Sequence, residues 1–197
     1  VNSHVARMVA RLDERAATIS DILCTTARDN VPELPRDGAM STLMRSAMRD
    51  HLHTIFVALL HDIDVTKITA PPTHVEYAKA LARRDVPIDA MMRGHRLGQH
   101  QLSEVVLAEL QALGMAPESQ AAVIETLART LLKYVDVVSK QALAAYQGEH
   151  RVRLEARRIA RALQIRDVLD GTPFDVDAVS CSNHKTNRRS RTKAARR

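Results

Sequence analysis

The sequence predicts an all-α protein, a bundle of amphipathic helices with a long stalk helix at its carboxy-terminal side. Three observations carry that expectation. Apolar residues recur at spacings of three and four along most of the 197-residue chain. All seven prolines fall at the ends of these runs, where helices start or stop. There is no Trp and there are only two Phe and three Tyr, so the core has to be aliphatic, built from Leu, Val, Ile, Ala and Met. The length suits one ordinary domain plus a tail, enough to bury a core without disulfides or metals.

The first helix is expected from about Val5 to Arg28, with Val5, Val9, Leu12, Ala16, Ile19 and Leu23 on one face. The stretch NVPELPRDGAM ends it. A second helix follows from about Ser41 to His61, with Ser41 as its N-cap and Leu43, Met44, Ala47, Met48, His51, Ile55 and Leu59 as its buried stripe. The break DIDVTKITAPP closes on Pro71-Pro72, after which Thr73 can cap a short helix from His74 to Arg83. The turn RDVP, with Asp85 and Pro87, leads into a helix reaching about Leu113. Gly114 supplies its stop and Pro117 the next start.

From Pro117 the pattern is long: Val123, Ile124, Leu127, Leu131, Tyr134, Val138, Ala142 and Ala145 recur at three and four. Gly148 is its one weak point. Beyond it Val152, Ala156, Ile159 and Leu163 follow a spacing near 3.5, with Arg and Glu on the other faces. A narrow apolar stripe of this kind pairs with a copy of itself, giving a homodimer through Tyr134, Val138, Val152, Ile159 and Leu163. The alternative is a bend at Gly148 that folds the helix back onto the bundle. The expected organisation is a helical domain over 1–147, a stalk over 148–170, the start of a further segment over 171–180 (GTPFDVDAVS) and a disordered basic tail over 181–197.

The net charge of +6 belongs to that tail. Lys185, Arg188, Arg189, Arg191, Lys193, Arg196 and Arg197 have no carboxylate among them, which leaves 22 cations against 23 carboxylates over residues 1–180. Nucleic-acid binding would rest on the tail alone: weak, without sequence preference and steeply salt-dependent. Base stacking is disfavoured by the scarcity of aromatic rings. Cys24 and Cys181 form no CxxC and no zinc spacing, which suits a reducing cytosol. No run approaches a membrane span, and the amino terminus has no export signal, so a cytoplasmic protein is expected.

No catalytic or metal motif emerges, and the chain reads as non-enzymatic, without cofactor. His51 and His53 point different ways on a helix, His53 and His61 lie about two turns apart, and His95 and His100 diverge. Cys24 sits on an apolar face and reads as a buried inert thiol. Ser103 and Thr25-Thr26 have no nucleophile elbow, and Asp62 and Asp64 read as turn residues. The candidate functional surface is Arg93, His95, Arg96, Gln99 and His100, which point to more than one face of their helix and suit contact with a protein partner or a small signal molecule such as an anion, or a buried hydrogen-bonded group that responds to protonation. The alternative is a solvated helix face. Met91, Leu97, Leu102, Val105 and Val106 read as core.

Three segments, ARRDVPIDAMMRGHRLGQHQL, LLKYVDVVSKQALAAYQGEHRVRLEARR and RALQIRDVLDGTPFDVDAVS, carry a resemblance to a known family. In it, Arg93, Arg96 and Gly98 match one helix motif, with Gly94-His95 where Ala-Tyr is common; Tyr134, Asp136, Ser139, Tyr146 and Glu149 match a second. Over about residues 5–180 the chain resembles the amino-terminal sensory domain of PucR/CdaR-type bacterial transcriptional regulators, also called RsbRD-N-like after stressosome co-antagonist proteins. The resemblance implies an all-α domain of globin-like topology without haem that senses a signal and dimerises. Such regulators continue into a GGDEF-like domain and a helix-turn-helix; the match here stops at Ser180, so a truncated regulator is expected, with sequence-specific DNA contact in doubt. A stand-alone interaction module of the stressosome type is the alternative.

Overall fold

The computed structural model describes residues 2–169. Among them are six α-helices, one short 3₁₀ turn and no strand, so the protein is all-α. The helices are α1 (Asn2–Glu14), α2 (Ala16–Asn30), α3 (Gly38–Leu60), α4 (Pro72–Arg83), α5 (Ile88–Ala112) and α6 (Pro117–Leu169), with the 3₁₀ turn at Val65–Lys67. The described residues divide into two compact units between Arg153 and Leu154. The segment over 171–180 and the seven cations of the tail lie outside the described residues.

The single first helix expected from the sequence is two. The ladder breaks at Arg15, with φ −105° and ψ 6°, although no proline or glycine is present. The contacts at the break are tertiary: Arg11 and Arg15 both ion-pair with Glu109 of α5, which is 4% exposed. On either side, Val5, Met8, Val9 and Leu12 of α1 and Ile19 and Leu23 of α2 enter the same apolar cluster.

Two caps also differ from expectation. Helix α3 starts three residues before Ser41, because the Asp37 carboxylate accepts the Met40 N–H at 3.1 Å and holds the first turn. Thr73 does not cap α4; Pro71 occupies the cap position and Pro72 the first turn, where its missing N–H costs nothing. The Thr73 hydroxyl instead donates to Asp50 at 2.6 Å, tying the start of α4 to α3.

The later boundaries follow the sequence. Pro87 precedes α5, and Gly114 takes φ +57° in the turn after it, a conformation that glycine adopts without strain. Helix α6 runs unbroken from Pro117 through Gly148, so the alternative of a bend at that glycine is not what forms.

The core of residues 2–153 consists of two apolar clusters. One gathers the α1 and α2 stripes with Leu52, Ile55 and Phe56 of α3, Leu110 of α5, and Val123, Leu127, Tyr134 and Val138 of α6. The other gathers Cys24, Met40 and Met44 with Tyr77, Ala78, Leu81 and Ala82 of α4, Met91 of α5, and Ala142 and Tyr146 of α6. Met48 packs against both. Cys24 is buried as expected, and burial pushes its thiol pKa up, away from nucleophilic use.

This packing corrects the expected dimer face. Tyr134 and Val138 are 3% and 5% exposed, because the α6 stripe at these positions is consumed by the bundle. Val152, Ile159 and Leu163, at 69%, 54% and 54%, keep their side chains in solvent.

Candidate functional site

Where the two core clusters meet, α3, α4 and α5 each contribute one histidine. His51, His74 and His95 line a cavity of about 80 Å³ together with Gly98, Gln99, Tyr134 and Ser139; the remaining walls are Leu, Ile, Val and Met side chains.

Each histidine is placed by a local device. His51 lies on the inner face of α3, one turn before Ile55. His74 sits in the first turn of α4, and that turn is fixed from two sides. Thr73 bonds Asp50, and Gln141 of α6 accepts the Ala70 N–H at 2.7 Å while donating to the Ile68 carbonyl at 3.1 Å. His95 follows Gly94 on α5. An added Cβ at Gly94 would stand 3.6 Å from Leu34, ordinary contact, so the glycine is not demanded by space.

The rings stack into a chain. His51 and His74 meet edge to face with centroids 4.4 Å apart, and His74 and His95 lie tilted at 4.8 Å. The two outer members are anchored to α6: His51 Nδ1 lies 2.7 Å from the Tyr134 hydroxyl, and His95 Nδ1 lies 3.1 Å from the Ser139 hydroxyl. The middle member is not anchored. His74 is 1% exposed, and neither of its ring nitrogens has a hydrogen-bond partner; Nε2 of His95 is likewise shielded and unpaired.

Burial governs the charge state. It lowers the pKa of His51 to about 3 and that of His95 to about 4, and it carries His74 well below its ordinary value, with the neighbouring histidines adding to the shift for His51 and His74. All three rings are neutral near pH 7, which is what lets them pack together in an apolar wall. A neutral imidazole has one N–H and one lone pair, so each ring can both donate and accept a hydrogen bond. Among the described residues no group of three or more His, Cys, Asp or Glu side chains is arranged to hold a metal ion.

Of the five candidates on α5, the structure brings two to the cavity, His95 and Gln99. Arg93 points outward and pairs with Asp89 at 2.5 Å and Glu33 at 2.6 Å. Arg96 and His100 are exposed. The expected polar surface is therefore split, because the helix turns its residues to opposite sides. Sequence reasoning missed His51 and His74 as site residues. The clue available was that His51 falls within the apolar stripe of its helix, where a polar ring has to meet another polar group or an internal space.

The model of one protein family, the RsbT co-antagonist protein rsbRD N-terminal domain, matches residues 5–161. No curated protein and no solved structure matches the chain. The match spans all of α1 to α5 except the first residues and most of α6, including every residue of the histidine cavity. The chain thus belongs to the family of RsbT co-antagonist protein rsbRD N-terminal domains.

Proposed function

We propose that this protein is a signal-sensing and dimerisation module of the kind that PucR-like transcriptional regulators carry at their amino terminus, acting in the cytoplasm and without catalysis. One observation carries the reading: a single helix, α6, both walls the histidine cavity, through Leu131, Tyr134, Val135, Val138 and Ser139, and carries the exposed apolar residues Ile159 and Leu163. A ligand that favours one packing of Tyr134 and Ser139 acts on the same helix that would pair with a second copy, which is the requirement for a two-state relay.

Sedimentation equilibrium tests the dimer. A dimer at micromolar concentration, converted to monomer by the double substitution Ile159→Glu and Leu163→Glu, is the expected outcome. A monomeric parent protein overturns the reading.

A second reading is an interaction module of the stressosome type, without a role at DNA. The family to which the chain belongs is named for RsbT co-antagonists, which favours it. Assemblies larger than a dimer, formed by the purified chain, would support this reading over the first.

A further inference from the structure

Gly98 stands in the middle of α5, where glycine is the least favourable residue short of proline. Close packing explains such a glycine when a side chain would collide with a neighbour. Here a Cβ built on Gly98 meets no atom within 4 Å. The residue lines the cavity of about 80 Å³, so the chain forgoes both helix propensity and a methyl group that would help fill that space.

The surface that a guest would touch is almost wholly carbon. Leu23, Met48, Leu52, Ile55 and Val138 supply much of it, and no Lys, Arg, Asp or Glu takes part. The unpaired nitrogens of His74 and His95 are sealed from the space, so these rings offer it no hydrogen bond through them. An apolar enclosure of this kind stays dry, because water inside it finds too few partners. Its walls then lack neighbours on one side and forfeit the dispersion contacts that a fitted guest would restore.

A way in exists. The α2 and α4 walls, Leu23 and His74, are buried, whereas Gly98 and Leu102 of α5 and Leu131 and Val135 of α6 are half-buried. That gradient puts the mouth between α5 and α6.

We propose that the cavity is a binding site for a small neutral hydrocarbon-like molecule, which enters beside Gly98 and packs against the Leu, Ile, Val and Met walls. This assigns a chemical class to the signal, and it rests on the sensory reading above only for what binding accomplishes. Size sets the limit: the cavity is about half the ~150 Å³ apolar cavity that holds benzene, so an enclosed guest has roughly three or four heavy atoms. Anions are excluded because no lining cation would neutralise them, and amides because they would lose their hydrogen bonds to water without replacement.

The test is ¹³C methyl NMR of the full chain during titration with isobutene, repeated with acetamide and with benzene. Acetamide has the same planar arrangement of four heavy atoms as isobutene but carries a polar oxygen and nitrogen; benzene is apolar but larger. The expected result is a saturable shift of the Met48, Ile55, Leu102, Leu131 and Val135 methyl signals, with a Kd for isobutene on the order of 1 mM. Acetamide and benzene should each bind at least roughly tenfold more weakly. No saturable shift with isobutene overturns the proposal. Acetamide binding as tightly as isobutene overturns the apolar assignment, and benzene binding as tightly overturns the size. The variant Gly98→Val, which places methyl groups in the open space, should keep the helical circular dichroism and lose about tenfold or more in isobutene affinity; unchanged affinity in a folded variant overturns the site. Where that variant does not fold, the titrations of the unaltered protein decide. Isobutene binding by a monomeric protein would sink the dimer reading and leave the site intact.

Discussion

The Tyr134 hydroxyl lies 2.7 Å from Nδ1 of His51, joining α6 to α3 across 83 positions of the sequence. The bond is part-buried and closes one wall of the cavity. Tyr134→Phe removes it while keeping the ring in the core, and it leaves the His51 nitrogen without its partner. We expect a loss of about 1–2 kcal/mol, read from urea denaturation. A loss under about 0.5 kcal/mol would mean that another group takes over the nitrogen.

The depressed histidine pKa values give a pH dependence with a definite sign. In the unfolded chain these rings protonate near 6.5, whereas in the folded protein His51 and His95 wait until about 3 and 4, and His74 also falls far below 6.5. Below about pH 6.5 the unfolded state binds more protons, so stability falls as the pH is lowered. Each histidine contributes up to about 1.4 kcal/mol per pH unit within its window, and the contribution is constant above about pH 7. Urea midpoints measured from pH 8 to pH 4 should decline through this range, and His74→Phe should make the decline shallower. An unchanged slope in that variant would contradict the assignment.

The turn between α4 and α5 is held from α6. The Tyr146 hydroxyl donates to the buried Val86 carbonyl at 2.6 Å, and Arg153 donates to the Ala82 carbonyl and to Asp85, each at 3.2 Å. Asp85 has φ +54°, so the turn is one that needs support. Tyr146→Phe orphans the Val86 carbonyl and should cost about 1–2 kcal/mol. Hydrogen exchange should speed up first in the amides of Arg84 to Val86. Uniform acceleration over the whole chain would show that the bond contributes only to global stability.

Gly98 lines the cavity in the middle of α5, and a Cβ built there meets no atom within 4 Å. Gly98→Ala should therefore gain the ordinary helix-propensity difference of about 1 kcal/mol, seen as a higher melting temperature. A lower melting temperature would reveal a packing demand at this position.

Much of the helical framework was legible in the sequence, since Gly114, Pro117 and the α6 stripe act through local backbone chemistry. The break at Arg15 was not, because nothing in its neighbours marks it and its partner Glu109 is 94 positions away. The start of α3 was missed because Asp37 and Ser41 are both competent caps, and the choice between them depends on how the preceding loop enters. The candidate site was half legible: His95 and Gln99 were read as part of a polar set, but His51 and His74 come from two other helices, and no spacing rule connects residues that meet only in three dimensions.

The sequence by itself determined that the chain is helical, where most helices begin and end, and that its core is aliphatic, because periodicity, caps and breakers act over a few residues. The tertiary structure alone decided what each apolar face packs against. It placed Tyr134 and Val138 inside the bundle while Ile159 and Leu163 stayed in solvent, and it drew three histidines into one cavity. Burial then removed their charge, which is a property of surroundings assembled from distant segments and not of any one stretch of chain.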